Sequence, residues 1–537
     1  MGVLAALAGA CAPIPQTSVR RPPAPTAPRL VVAIAVDQFS ADLFDEYRGE
    51  FTGGLARLAR QGIVFRNGYQ AHATTETCPG HSTILTGDHP ARTGIIANDW
   101  YQPASPRGRT AIYCAEDETR GAADGYVVSP VHLKVPVLGE RLKAVDPRSQ
   151  SVAVAGKDRA AVMMGGHSPD VRWYYRDGRF EADLPGQKPT HAVQMAQARV
   201  DSETARGAPP LPVPANCRTR DRPTTLPGGR VVGTGRLSHG SGKSEYPFGP
   251  DLDRTTLQLA SDLVDERRLG RDAAPDVLAI SLSATDYVGH RYGTEGLEMC
   301  LQLHALDEAL GRFFDALDRR GLDYVVVLTA DHGGTDIPER LRRIDPEARR
   351  TSEKVSNATI GRSIAAALGL RENPLIGEGD IHLAAGLDPT TRARVLQMAV
   401  DAYRASPFVA AVFTRSELEA MPVPSGDPAA WTLKQRARAS YYAERSGDLL
   451  VLLKRDVVPI PKPSAYTAAT HGSPWDNDRR VPILFWRRGM TPRTFDVPAD
   501  TVDIMPTLAA VLGLPVAPGS VDGTCLAAVA GALCKGR

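Results

Sequence analysis

The chain has 537 residues, 42% of them hydrophobic, which is enough to bury a large core and to fill more than one domain. Its 63 basic and 61 acidic residues leave a formal net charge of +2, and the basic residues are dispersed, so no surface for nucleic acid is marked. Small polar or anionic substrates stay open.

Residues 1–11 are apolar and end in Leu7-Ala8-Gly9-Ala10-Cys11. This resembles the end of a bacterial lipoprotein signal segment with Cys11 as the lipidated residue, although a basic start and a longer apolar run are missing. It predicts export to the periplasm, with an outer-membrane lipid anchor at Cys11 as the further expectation. Residues 12–28 are rich in Pro and Arg with little to pack, and read as an extended tether. Residues 1–28 are thereby set apart from one catalytic body over 29–537. No other segment reaches the roughly 18 consecutive apolar residues of a membrane span.

Short apolar runs then recur at 30–36, 151–155, 277–282, 324–328 and 481–486. Near-continuous apolar runs of this length suit strands covered on both faces, which predicts an α/β fold with a mostly parallel central sheet and helices on either side. Asp37, Lys157, Asp286 and the Asp331-His332 pair stand just past strand ends, where ligands bind in open α/β sheets. The stretches at about 160–250 and 337–464 are richer in turn residues and weaker in periodicity, and are expected to be inserted cap segments. No fixed-period repeat is visible. Cys11 aside, Cys78, Cys114, Cys217, Cys300, Cys525 and Cys534 suit up to three disulfides in an oxidising compartment, with Cys525 and Cys534 the easiest pair.

Several residues carry chemistry only in combination. Asp37 alone reads as a structural, hydrogen-bonding carboxylate. Asp286 and His290, four apart, share one side of a helical turn. Asp331-His332-Gly333-Gly334 offers a carboxylate and an imidazole pointing apart, with glycines that allow a tight turn. His471 in Thr470-His471-Gly472 completes three Asp and three His, a donor mixture that suits zinc. Two metals roughly 4 Å apart can hold the attacking and leaving oxygens of a phosphoryl transfer. His72, His89, His132, His167 and His304 lack a carboxylate neighbour at a strand end, and are taken as surface, core or supporting residues.

Pro79 in Thr77-Cys78-Pro79-Gly80-His81 suits a first helical turn, which puts Thr77 at a helix N-terminus that favours phosphate. A metal beside it would activate the hydroxyl; by itself, Thr77 reads as a cap. Cys78 is a rival nucleophile, more readily bridged in an exported protein. Asn98 could donate its amide to a phosphoryl oxygen, or serve as a turn residue. Lys157 and Arg159 alternate so that both face one side of an extended segment and suit a dianionic phosphate; out of context they are a solvated basic turn.

The set Thr77-Cys78-Pro79-Gly80-His81, Gly94-Ile95-Ile96-Ala97-Asn98, Lys157-x-Arg159, Asp286-x-x-x-His290, Asp331-His332-Gly333 and Thr470-His471-Gly472 resembles the alkaline phosphatase superfamily. Within it the likeness is to the monomeric, threonine-nucleophile PafA-type alkaline phosphatases. The tail from Val502 through Leu508, with Asp522-Gly523, resembles the closing helix and turn of that superfamily. The resemblance implies a three-layer sandwich with cap insertions, a monomer, and two Zn2+ ions. It assigns Asp286, His290 and His471 to one zinc, and Asp37, Asp331 and His332 to the other, which also holds Thr77. It further implies a phosphothreonine intermediate, with Asn98, Lys157 and Arg159 on the non-bridging oxygens of a phosphate monoester. A nucleotide pyrophosphatase/phosphodiesterase shares the ligands, the Thr and the Asn, but a diester has one charge fewer for Lys157 and Arg159; weak diesterase side activity is expected. Sulfatases carry Cys-x-Pro-x-Arg, which Cys78-Pro79-Gly80-His81 does not match. A non-catalytic lipoprotein that binds phospho-ligands would have no need of an activated nucleophile.

Overall fold

The computed structural model describes residues 27–102, 105, 110–122, 125–238 and 241–535; the leader-like segment with Cys11 lies outside them. The run Leu30–Val36 forms strand β1 and is buried throughout. Leu30, Val32, Ile34 and Val36 enter one hydrophobic cluster, while Val31, Ala33 and Ala35 enter another. Alternate residues of a strand face opposite ways, so an all-apolar strand requires cover on both sides.

The sheet adds β2 (Ile63–Tyr69), β3 (Ser151–Ala155), β4 (Val171–Arg176), β5 (Arg179–Glu181), β6 (Asp276–Leu282), β7 (Tyr324–Thr329), β8 (Arg480–Arg487), β9 (Arg493–Phe495) and β10 (Ala499–Asp500). Their order is β9-β2-β8-β7-β1-β6-β3-β4-β5, with β10 beside β2. The central neighbours β7, β1, β6, β3 and β4 are parallel. β8 runs against both β7 and β2, and β5 against β4, so the sheet is mixed at its flanks.

Parallel neighbours need crossovers, and helices supply them. Along the chain these are α1 (Thr77–Thr86), α2 (Asp158–Gly165), α3 (His191–Arg206), α4 (Asp251–Glu266), α5 (Ala284–Tyr292), α6 (Leu297–Arg319) and α7 (Ile504–Leu512). α3, α4 and α6 pack on the Leu30 face, and α1, α2 and α7 on the Val31 face. The predicted three-layer α/β sandwich is therefore the observed one, and it matches that of the alkaline phosphatases.

The segment at about 160–250, expected as a cap insertion, is corrected: it supplies β4, β5 and α3 to the sandwich itself. Its strand signal is broken by Arg172, which is fully buried inside β4. Asp183 accepts from its Nε at 2.7 Å and its Nη2 at 2.5 Å, and the Gly166 carbonyl accepts from Nη1 at 2.6 Å. A buried charge is tolerated only with such pairing. Within 337–464 stands a second sheet, in the order Leu375–Ile376, Asp380–Leu383, Leu449–Leu453, Val409–Thr414, with helices Asn357–Leu368 and Pro389–Arg404 and its own apolar cluster.

Three disulfides join Cys78 to Cys114, Cys217 to Cys300 and Cys525 to Cys534. Among the described residues, no helix is long and apolar enough to cross a membrane.

Candidate active site

β7, β1 and β6 are consecutive parallel strands, so their carboxyl ends open on one edge of the sheet. Asp37 directly follows β1, Asp331 stands two residues past β7, and Asp286 lies in the first turn of α5 after β6. All three carboxylates are buried. His332 Nε2 is 3.4 Å from Asp37 Oδ1 and 3.3 Å from Asp331 Oδ2. Asp286 Oδ1 is 3.3 Å from His290 Nε2 and 3.5 Å from His471 Nε2.

The imidazoles are held for this task from behind. Each Nδ1 meets a backbone carbonyl: Gly333 for His332 at 2.8 Å, Ala469 for His290 at 2.9 Å and Thr75 for His471 at 2.8 Å. A carbonyl only accepts, so each Nδ1 carries a hydrogen and each Nε2 is turned toward the carboxylates, the arrangement of metal-binding histidines. Burial, reinforced by neighbouring His332, holds the His471 pKa well below the ordinary imidazole value and so keeps it neutral.

Asp37 Oδ1, Asp286 Oδ1, Asp331 Oδ2 and His332 Nε2 are buried without a hydrogen-bond partner. Asp331 Oδ2 is 3.0 Å from His81 Nδ1, but that nitrogen's hydrogen is directed to the Thr77 carbonyl at 2.9 Å. Burial, followed by the nearby Asp331 charge, raises the Asp37 pKa well above its ordinary value. Unpartnered buried carboxylate oxygens beside imidazole Nε2 atoms form a donor set that fits divalent cations. Ligand atoms of Asp37, Asp331 and His332 lie within 4.8 Å of one another, as do those of Asp286, His332 and His471. His332 is common to both groups and its ring stacks on His471, with centroids 3.6 Å apart, while His290 approaches from the Asp286 side.

Thr77 is the first residue of α1 and is fully buried. Gly80 lets α1 sit directly against the end of β7, since a Cβ there would lie 2.0 Å from the Asp331 carbonyl oxygen. The glycine pair after His332 serves the same purpose rather than a turn: a Cβ on Gly333 would lie 2.1 Å from the Asn477 carbonyl.

Asn98 is gripped at three points. Its Oδ1 accepts from Cys78 N–H at 2.8 Å, its own N–H donates to Glu76 Oε2 at 2.6 Å, and its carbonyl accepts from Cys114 N–H at 2.8 Å. With Oδ1 taken, the NH2 end is the one left for an anion. The Cys78–Cys114 disulfide closes the same bracket.

Lys157 and Arg159 do not alternate along an extended segment, as the sequence suggested. Lys157 caps α2 and Arg159 is its second residue. Both still reach the site: Lys157 Nζ is 2.6 Å from Asp37 Oδ2 and 2.5 Å from Asp286 Oδ2, and Arg159 Nη2 donates to Thr77 Oγ1 at 3.3 Å. Burial disfavours the Lys157 charge, but Asp286 and Asp37 outweigh it and raise its pKa above the ordinary value. Between these two residues, Asp158 accepts from the Tyr113 hydroxyl at 2.7 Å and from that of Tyr126.

His81, Glu76 and Tyr113 were not singled out from the sequence. His81 lies one helical turn beyond Thr77, and its Nε2 meets Ser281 Oγ at 2.8 Å, a contact across 200 residues. The i, i+4 spacing was the only available signal. His89 sits between Asp500 and Asp522, and His132, His167 and His304 contact Glu118, Glu140 and Asn216. None joins either ligand group, and neither does the buried His72.

Two clefts meet at Asp99. One of about 520 Å³ runs between Glu76 and the second sheet, touching Asp380 and Tyr441. The other, of about 810 Å³, lies beside Lys157 and Arg159.

A strand-end cluster of carboxylates and imidazoles beside a helix-borne hydroxyl and two cations, one buried and one partly buried, defines a phosphate-ester hydrolase of the alkaline phosphatase superfamily. A family model described as type I phosphodiesterase / nucleotide pyrophosphatase matches residues 31–474, and the chain belongs to that family. It is similar to alkaline phosphatase PhoK of Sphingomonas sp, being 49% identical over 517 residues that cover 95% of this chain and 92% of the relative. Alkaline phosphatase PhoD of Zymomonas mobilis is 46% identical over 93% of this chain and 88% of its own length. The solved structure of wild-type alkaline phosphatase PafA has the same fold, with a TM-score of 0.82 over 95% of this chain and 100% of that one, at 24% identity.

Proposed function

We propose that this chain is a two-zinc alkaline phosphatase that hydrolyses phosphate monoesters through a phosphothreonine at Thr77. The observation that carries this is the pair of cations, buried Lys157 and partly buried Arg159, set against Thr77 and the carboxylates. A monoester dianion matches two cations better than a diester monoanion does. Two close relatives bear the name alkaline phosphatase, which supports the same reading.

In this reading Asp286, His290 and His471 hold one zinc, and Asp37, Asp331 and His332 the other. Bound there, the ions would supply the positive charge that activates a hydroxyl and stabilises developing oxyanions. Thr77 Oγ loses its proton to solvent and attacks phosphorus in line, and the bond to the leaving oxygen breaks, with that oxygen taking up a proton from solvent. Water then attacks the phosphothreonine, releasing phosphate and returning the Thr77 hydroxyl. Through both steps Asn98, Lys157 and Arg159 hold the non-bridging oxygens, where a fixed array costs no reorganisation. Weak diesterase activity follows from metal groups that both ester classes share.

The three disulfides support work in an oxidising compartment such as the periplasm, and in this reading the chain acts there as a monomer anchored at Cys11. The test is turnover of p-nitrophenyl phosphate and of its bis-ester by the zinc-loaded protein, with metal content measured on the same sample. Fast monoester turnover with slow diester turnover is expected. Absence of hydrolysis with two zinc ions bound would overturn the enzyme assignment, and a diester preference would make it a phosphodiesterase.

A further inference from the structure

The cleft beside Lys157 and Arg159 has an aromatic wall that phosphate binding does not use. Tyr287 follows Asp286 in α5, and Lys157 Nζ lies 5.1 Å from its ring centre. Phe248, at the end of the short helical turn Tyr246–Phe248, meets Tyr287 edge to face with centroids 5.4 Å apart. On its other side Phe248 lies 5.3 Å from Tyr466. Arg291 is placed over Phe248 at 4.8 Å and over Tyr466 at 5.3 Å, and is itself fixed by a 2.7 Å contact with Glu245.

This ladder begins beside a proposed zinc ligand and ends in solvent. Tyr466 is 45% exposed, and among the described residues it is the one aromatic ring in the set of strongly exposed large apolar side chains. Phe248 and Tyr287 line the cleft of about 810 Å³, as do Tyr113 and Tyr126. Rings braced against one another and left partly open at a concave site are surfaces for a flat apolar group.

The position follows from the chemistry proposed above. In-line displacement puts the leaving oxygen opposite the nucleophile. Tyr287 follows Asp286, which belongs to the metal group other than the one assigned to Thr77, and its ring lies beside Lys157. We infer that the Tyr287–Phe248–Tyr466 wall is a leaving-group subsite that stacks an aromatic ring, so that aryl and heteroaryl phosphates are the favoured monoesters. The inference rests on the monoesterase reading for its orientation, but ring binding can be measured without turnover.

The experiment compares the zinc-loaded wild type with Phe248→Ala, Tyr466→Ala and the double variant. Turnover is measured on 1-naphthyl phosphate and β-glycerophosphate, and calorimetry gives Kd for phenylphosphonate and methylphosphonate. One stacked ring is worth about tenfold, or about 1.4 kcal/mol. The double variant is therefore expected to lose about tenfold in kcat/KM on the naphthyl ester and about tenfold in phenylphosphonate affinity. β-Glycerophosphate turnover and methylphosphonate affinity stay within twofold. Tyr466→Phe, which keeps the ring, and Phe248→Leu, which keeps the packing volume, separate stacking from folding: the first retains discrimination and the second loses it. Equal losses on both ligand pairs, or none, would overturn the subsite. If the wild type turns over no ester, the phosphatase reading fails, and the phosphonate affinities alone still decide the wall.

Discussion

Replacing Lys157 and Arg159 by Ala, singly and together, tests the substrate class directly. Arg159 donates to Thr77 Oγ1 at 3.3 Å, and Lys157 lies within 2.6 Å of two of the carboxylates around the phosphate position. A hydrogen bond to a charged group is worth about 1.5–3 kcal/mol, and each 1.36 kcal/mol is tenfold in rate. Each single variant should therefore lose roughly 10- to 150-fold in kcat/KM on p-nitrophenyl phosphate, and the double variant on the order of 10²–10⁴-fold, short of full additivity because the two groups share one ligand. A diester presents one negative charge fewer, so bis-p-nitrophenyl phosphate should lose at least about tenfold less. The assay is steady-state kinetics on both esters with zinc stoichiometry determined on each preparation. Equal losses on the two esters at unchanged zinc content would refute the claim that these cations select the monoester.

Thr77→Ala should abolish both turnover and the acid-stable phosphoprotein seen by mass spectrometry while leaving zinc content near that of the wild type; retained turnover would identify a different nucleophile. Gly80→Ala forces a methyl group to within 2.0 Å of the Asp331 carbonyl, so α1 must shift. It should lower kcat by about 100-fold or more, since displacement of a reacting group by about 1 Å costs on that order, and a nearly wild-type kcat would show that α1 has room. Burial disfavours protonation of His89, but Asp500 and Asp522 outweigh it and raise its pKa to about 10. A raised histidine pKa stabilises the fold fully below the unfolded value of about 6.5, and that contribution is lost as pH rises toward 10. The urea midpoint should accordingly fall between pH 7 and 10 and be flatter in His89→Gln; an identical slope in the variant would exclude His89 as its source.

The parts of the site that were legible in the sequence are those set by one element. Asp37, Asp286 and Asp331 each follow an apolar run, and parallel strands deliver such positions to one edge whatever joins them. Pro79 announced α1 and with it the place of Thr77. Legibility failed where the reason lay across the chain. Arg172 hid β4 because its counter-ion, Asp183, lies beyond the strand. The Lys157-Asp158-Arg159 alternation looked extended because nothing local shows that Tyr113 and Tyr126 hold Asp158. The joint role of His332 is likewise invisible before folding, since it depends on stacking against His471, 139 positions away.

The Cys78–Cys114 bridge has a consequence for when the enzyme can act. It pins the residue after Thr77 to the residue after Tyr113, and Asn98 is held between the two. Thiols stay unbridged where the surroundings are reducing, so a chain retained there would carry Thr77 and Asn98 without the bond that joins their segments. Full assembly of the proposed phosphate site is then tied to arrival in an oxidising space.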